Sequence, residues 1–149
     1  MAKPEIIDVT LSLDTSIYAD GDVLAATQEV TGFFAEKNGT RKLTSVVVLD
    51  EDDQKIALDL VFLDSNVALG TENSAPSITD ANAREVQGFL SIATGDYIDL
   101  GGAGVATVRG RELILKSAAD STSLFLAAIT RGGTPTYTAS GIKLKLGVE

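Results

Sequence analysis

The sequence predicts an all-β domain, built as a sandwich or a barrel from eight or nine short strands. Apolar residues recur at every second position over much of the chain. This period is typical of strands with one buried side and one side in solvent. Turn pairs that contain glycine, such as Asp20-Gly21 and Asn38-Gly39, separate the runs at short intervals. Short strands with frequent turns favour a sandwich or a barrel.

The strands can be assigned from two kinds of apolar run. Residues alternate between apolar and polar in four runs: 7–13, 24–30, 56–62 and 142–146. Residues 45–49 and 123–130 are instead apolar at consecutive positions, which predicts strands in the centre of a sheet. Four shorter candidates complete the set: 89–94, 97–100, 105–108 and 113–116.

One segment departs from this pattern. The stretch "SITDANAREVQG" offers Thr79 as an N-cap and Asp80 in the first helical turn, and helix formers follow them. Gly88 ends the segment. These signals predict one short helix near 79–87, inserted between strands. The preceding stretch, "NVALGTENSAPS", reads as a long polar loop.

No linker or internal repeat divides the chain, so residues 1–149 are expected to form one domain. Residues 1–5 are a candidate flexible N-terminal arm. The apolar runs are far shorter than the roughly 20 residues that cross a bilayer as a helix, so no membrane partner is expected.

Composition argues against catalysis and against nucleic-acid binding. The chain has no His and no Cys, and it contains no G-x-S-x-G motif that would place a nucleophilic serine. We therefore predict no enzymatic activity, no catalytic residues, no metal and no cofactor. The net charge of -9 argues against binding to a phosphate backbone, which needs clustered Lys and Arg.

Four consecutive acids, residues 50–53, are the most conspicuous local feature. An EF-hand loop that starts at Asp50 would need glycine at its sixth position, where Lys55 stands. A two-metal site needs carboxylates that converge from separate elements, whereas consecutive residues on a turn point apart. We therefore predict a solvated hairpin tip between two strands. Weak binding of a divalent cation stays open as the alternative.

Three longer stretches resemble the head decoration (cement) proteins of tailed bacteriophages. They are "LDTSIYADGDVLAAT", "ENSAPSITDANAREVQGFLSIATGDYIDLGGAGVAT" and "LFLAAITRGGTPTYTASGIKLKLGVE". The most specific part is the pattern Y-x-A-S-x-I-x-L-x-L-G from Tyr137 to Gly147. The resemblance implies a jelly-roll-like β-sandwich that forms a trimer and clamps neighbouring major capsid subunits. It also implies a place on the outer surface of the phage head, after synthesis in the bacterial cytoplasm.

The charge distribution suggests which side would face the capsid. Residues 1–99 carry 6 basic and 18 acidic side chains, whereas residues 100–149 carry 6 and 3. The candidate interface residues are therefore four of the six basic residues of the last third, Arg109, Arg111, Lys143 and Lys145.

Two alternatives remain open at this point. A carbohydrate-binding sandwich of a phage fibre or tail tip would present coplanar aromatic side chains, for which Tyr18, Tyr97 and Tyr137 are the candidates. A head–tail connector or tail-tube protein would form rings, often of six copies.

Overall fold

The computed structural model describes residues 3–149, which form two antiparallel β-sheets packed face to face. The five-stranded sheet contains β1 (Glu5–Thr10), β3 (Thr40–Asp50), β6 (Tyr97–Asp99), β7 (Gly104–Lys116) and β9 (Ile142–Val148). The four-stranded sheet contains β2 (Val23–Val30), β4 (Leu58–Leu63), β5 (Val86–Ile92) and β8 (Leu124–Thr130). The predicted all-β sandwich is confirmed.

The strand order is that of a jelly roll. The sheets run β1-β9-β3-β7-β6 and β2-β8-β4-β5, and every pairing is antiparallel. The chain crosses between the sheets at each of the first three connections, between β5 and β6, and on both sides of β8. Eight strands in this order make two Greek keys. The short strand β6 is an addition at one edge of the five-stranded sheet.

The predicted alternation places one side of most strands in a common core. In β9, Ile142, Leu144 and Leu146 are buried, while the lysines between them point outward. Strand β8 lies between β2 and β4, as its consecutive apolar residues predict. Strand β3 is also central, but the side chains on its outer face, such as Val47, are only half-buried.

Part of the outer face of the four-stranded sheet is covered by residues 64–85, which we call the cover loop. Leu69 is 5% exposed and packs in one cluster with Val61, Ala127 and Ile129. Backbone hydrogen bonds fasten the loop beside β2, because Asn73 N donates to Val23 O at 2.8 Å. The cover loop therefore supplies the second apolar environment that a strand such as β8 needs. The sequence predicts only a polar loop here.

The predicted helix is real but much shorter than expected. Thr79 is the N-cap and accepts a hydrogen bond from Asn82 N, as predicted, yet α1 spans only Asp80–Ala83. Strand β5 begins at Val86 and pairs with β4, so ladder hydrogen bonds replace the helical ones. Gly88 does not end a helix. It lies in β5 opposite Phe62, where a Cβ atom would come within 2.8 Å of Leu113 Cδ1.

The candidate N-terminal arm is described only in part. Residues 1–2 lie outside the described residues, and Glu5 already belongs to β1, where it pairs with Val148. The helical segments within residues 3–149 are all too short to cross a membrane.

Candidate interaction surface

The acidic run does not form the predicted hairpin tip. Asp50 is the last residue of β3, and the next strand, β4, belongs to the other sheet. Residues 51–57 therefore connect the two sheets at one end of the sandwich, and their flanking strands do not pair. The hairpin prediction failed because alternation identifies strands but carries no information about which strands pair.

Asp50 is buried in this connection instead of solvated. Its side chain is 0% exposed, and its carboxylate accepts hydrogen bonds from Lys55 N at 2.7 Å and Asp52 N at 3.0 Å. Burial raises the pKa of Asp50 above its ordinary value, while these backbone hydrogen bonds act in the opposite direction. Asp50 therefore holds the chain at the sharp bend where it leaves one sheet for the other.

The other three acids bind separate partners. Asp52 accepts hydrogen bonds from Thr138 N at 2.9 Å and from Thr138 Oγ1, which joins the connection to residues 131–141. Glu51 pairs with Lys143, and Asp53 pairs with Lys55. Within residues 3–149, no group of three or more His, Cys, Asp or Glu side chains is arranged to hold a metal ion.

The lysines predicted as interface residues lie on the outer face of the five-stranded sheet. Lys143 and Lys145 occupy the two outward positions in the middle of β9, and both are partly exposed. Lys145 Nζ lies 2.9 Å from Asp8 Oδ1, and Lys143 pairs with Glu51. Each lysine is therefore already matched by an acid of its own chain.

The two arginines are on different sides of the molecule. Arg109 is exposed, and its register partner Ser45 also pairs with Gly147, so Arg109 shares the outer face with the lysines. Arg111 follows Gly110, which has a φ of 73°, at an irregularity in β7. It lines a depression of about 290 Å³ beside Phe89 and Leu113, towards the other sheet. Neither arginine forms an ion pair with any residue in 3–149.

An apolar strip reaches the edge of this outer face, and sequence reasoning missed it. Leu49, Val105 and Ile98 are register partners on β3, β7 and β6, and Leu100 follows β6 directly. Ile98 is 59% exposed and Leu100 is 63% exposed. The other edge of β6 has no strand partner among the described residues. The turn pair Gly101-Gly102 predicts a hairpin, but it carries no information about the exposure of the Ile98 and Leu100 side chains.

The tyrosines do not form a platform for stacking on a sugar. Tyr18 and Tyr137 are 1% and 3% exposed, with ring centroids 6.1 Å apart in an edge-to-face arrangement. The Tyr18 hydroxyl donates to Leu24 O, and burial raises the pKa of Tyr18 to about 12. Tyr97 donates to Ile56 O, and its ring is half-buried. All three therefore contribute to packing between the sheets and their connections.

No model of a protein family matches the chain, and no curated protein matches its sequence. Among solved structures, the chain is similar to the VP2 subviral particle of infectious bursal disease virus, with 14% identity and a TM-score of 0.43. That match covers 98% of this chain but 32% of the other, so the chain spans about a third of its length.

Two further likenesses are weaker. One is to Desmodium yellow mottle tymovirus, with 12% identity, a TM-score of 0.30, and coverage of 99% of this chain and 81% of that one. The other is to the C-terminal domain of EclA, a sugar-binding protein, with 7% identity, a TM-score of 0.26, and coverage of 100% and 79%.

Proposed function

We propose that this chain is a structural protein of a tailed-bacteriophage virion, a head decoration protein that trimerises and clamps neighbouring major capsid subunits. Three kinds of support converge on it. The sequence stretches quoted above resemble such proteins. The jelly roll is an architecture that viral capsid and lectin domains use. The exposed apolar strip at the β6 edge is the observation that carries the proposal, because an unpartnered edge with apolar side chains favours association.

The contact between copies of the chain is assigned to the β6 edge. Ile98 and Leu100 are two residues apart in the chain. Both side chains are exposed, next to an edge that no other described strand covers. A second copy that docks there meets both the side chains and the free backbone groups of β6. If each copy offers this edge to a different surface of the next copy, the contact is head-to-tail, and a three-fold rotation closes it into a ring.

The contact with the capsid is assigned to the outer face of the five-stranded sheet around Arg109, Lys143 and Lys145. Arg109 has no acid partner within residues 3–149, so it is available to a carboxylate of another protein. The two lysines would exchange Asp8 and Glu51 for capsid acids, which contributes less because one ion pair replaces another. Arg111 lies towards the other sheet and is assigned to the flank of this contact.

The oligomeric state tests the first contact. We expect size-exclusion chromatography with multi-angle light scattering to give a trimer for the wild type and a monomer for Ile98→Asp/Leu100→Asp, because two charges on the strip cannot be buried unpaired. Ile17→Asp is the matched control, since Ile17 is 63% exposed but lies in the connection before β2. It should remain a trimer.

Other outcomes would contradict parts of the proposal. A monomeric wild type would favour an isolated binding module, and a hexameric ring would favour a connector or tail-tube protein. A trimer that persists in the double variant would place the contact between copies elsewhere on the molecule.

Binding to phage heads that lack this protein tests the second contact. We expect Arg109→Glu/Lys143→Glu/Lys145→Glu to weaken binding in a sedimentation assay by about tenfold and to flatten its salt dependence. The control Lys37→Glu/Arg84→Glu changes exposed basic residues on other loops and should bind as the wild type does. Unchanged affinity and unchanged salt dependence in the triple variant would remove this face from the capsid contact.

A further inference from the structure

Two carboxyl groups face each other at the base of the cover loop. Asp64 directly follows β4 and Glu85 directly precedes β5, and Asp64 N donates to Glu85 O at 3.1 Å. They therefore extend the β4–β5 ladder by one position, with their side chains as cross-strand neighbours. Like charges in such positions destabilise a sheet.

One carboxylate oxygen of this pair has no hydrogen-bond partner and could carry a proton. Ser65 Oγ donates to Glu85 Oε2 at 3.0 Å. Asp64 Oδ1 is buried and has no hydrogen-bond partner. A protonated Asp64 would donate a hydrogen bond to the Glu85 carboxylate. The doubly ionised pair would instead leave two negative charges in contact.

Within residues 3–149, no basic group forms an ion pair with either acid. Glu85 is the charged group that acts on Asp64, and Asp64 is the charged group that acts on Glu85. Arg84, next to Glu85 at the C-cap of α1, is exposed and forms no ion pair with either acid. Burial of Asp64 and contact with Glu85 raise the pKa of Asp64 to about 6, and the bond from Asp64 holds the pKa of Glu85 below its ordinary value.

We propose that Asp64 and Glu85 share one proton and form a pH-sensitive latch at the base of the cover loop. Below about pH 6 the shared proton joins the two ends of the loop. Above that pH Asp64 ionises, the two carboxylates repel each other, and the base of the loop opens more often. Opening of the latch affects the outer face of the four-stranded sheet, because the cover loop contributes Leu69 to the apolar cluster there.

The direction of the pH dependence follows from the two shifts. The raised pKa of Asp64 stabilises the closed loop at low pH, and this stabilisation is lost between about pH 4 and 6. The lowered pKa of Glu85 acts in the opposite direction only at more acidic pH, where Glu85 itself takes up a proton. From pH 5 to 7.5 the net result is a looser loop.

Hydrogen exchange of the cover-loop amides tests the latch. A shift of roughly two pKa units corresponds to about 100-fold in the opening equilibrium, which solvent around a partly exposed pair reduces to about tenfold. We expect the amides of residues 64–67 and 82–85, corrected for intrinsic exchange, to lose about tenfold protection between pH 4 and 7.5. Amides in β8 should not change.

Variants separate the latch from a general effect of pH. Asp64→Asn keeps a donor towards Glu85 without a charge, and Glu85→Gln removes the repulsion from the other side. Both should abolish the pH dependence, and in Glu85→Gln the carboxyl carbon signal of Asp64 should titrate closer to its ordinary pKa. Asp80→Asn, an exposed acid of the same loop, should keep the wild-type profile. A wild type with no pH dependence, or variants that retain it, would overturn the proposal.

Discussion

Replacing Asp50 by alanine is expected to lower the free energy of unfolding by about 3 kcal/mol, because each buried N–H left without a partner costs about 1–3 kcal/mol. The carboxylate accepts hydrogen bonds from the backbone of Asp52 and Lys55 at the point where the chain passes between the sheets. Alanine removes both acceptors from a site that water does not reach, since Asp50 is 0% exposed. Urea denaturation at pH 7, followed by circular dichroism, measures the change.

Glu51→Gln is the matched control for this prediction. Glu51 is the next residue of the same acidic run, but its side chain is 51% exposed and pairs with Lys143 at the surface. An exposed ion pair contributes about 0–1 kcal/mol, so we expect a loss of less than about 0.5 kcal/mol. If the two variants were equally stable, the four acids would act only as a solvated charged turn, as the sequence alone suggests.

Replacing Leu69 by alanine is expected to destabilise the protein by about 2 kcal/mol, at the lower end of the usual cost for a buried leucine because a loop can partly collapse. Leu69 packs against Val61, Ala127 and Ile129 on the outer face of the four-stranded sheet. Its truncation also exposes part of that face, so binding of a hydrophobic dye should increase.

Ile78→Ala tests whether this effect belongs to the apolar cluster or to the loop in general. Ile78 lies in the same cover loop but is 40% exposed, and we expect its truncation to cost less than about 0.5 kcal/mol. Equal losses in the two variants would mean that the cover loop is held by its backbone hydrogen bonds, such as Asn73 N to Val23 O, and not by the burial of Leu69.

The predictions for Asp50 and for the latch concern carboxyl groups in different electrostatic environments. Asp50 faces backbone N–H groups, whose hydrogen bonds offset part of the cost of burying its negative charge. Asp64 faces another carboxylate and has an oxygen with no donor. Burial raises the pKa of both groups, but only Asp64 faces a second carboxyl group, so only there does ionisation place two negative charges in contact.

The strands were the most predictable part of this protein. Alternation in residues 142–146 placed Lys143 and Lys145 outward and the isoleucine and leucines between them inward, as the structure has them. The consecutive apolar residues of 123–130 predicted a central strand, and β8 is one. These predictions succeed because a strand has a period of two, so burial of one face leaves a direct mark on the sequence.

The candidate site was less predictable. Lys143 and Lys145 were identified as outward basic residues, but their acids come from Glu51 and Asp8, which are far away in the chain. Arg109 and Arg111 are two residues apart, so perfect alternation would place them on one face. The irregularity at Gly110 turns Arg111 away instead. The sequence predicts Ile98 and Leu100 as parts of an ordinary strand. Only the edge position of β6 shows that nothing in the described chain covers them.

By itself, the sequence determined the β-strands, their inward and outward faces, and the N-cap of α1. Those features depend on residues within a few positions of one another. Only the tertiary structure decided that Asp50 is buried between the sheets, that the polar loop carries an apolar residue onto the four-stranded sheet, and that Asp64 meets Glu85. Each of these depends on contacts between segments distant in the chain, and the free energy of such contacts comes from the partner as much as from the residue itself.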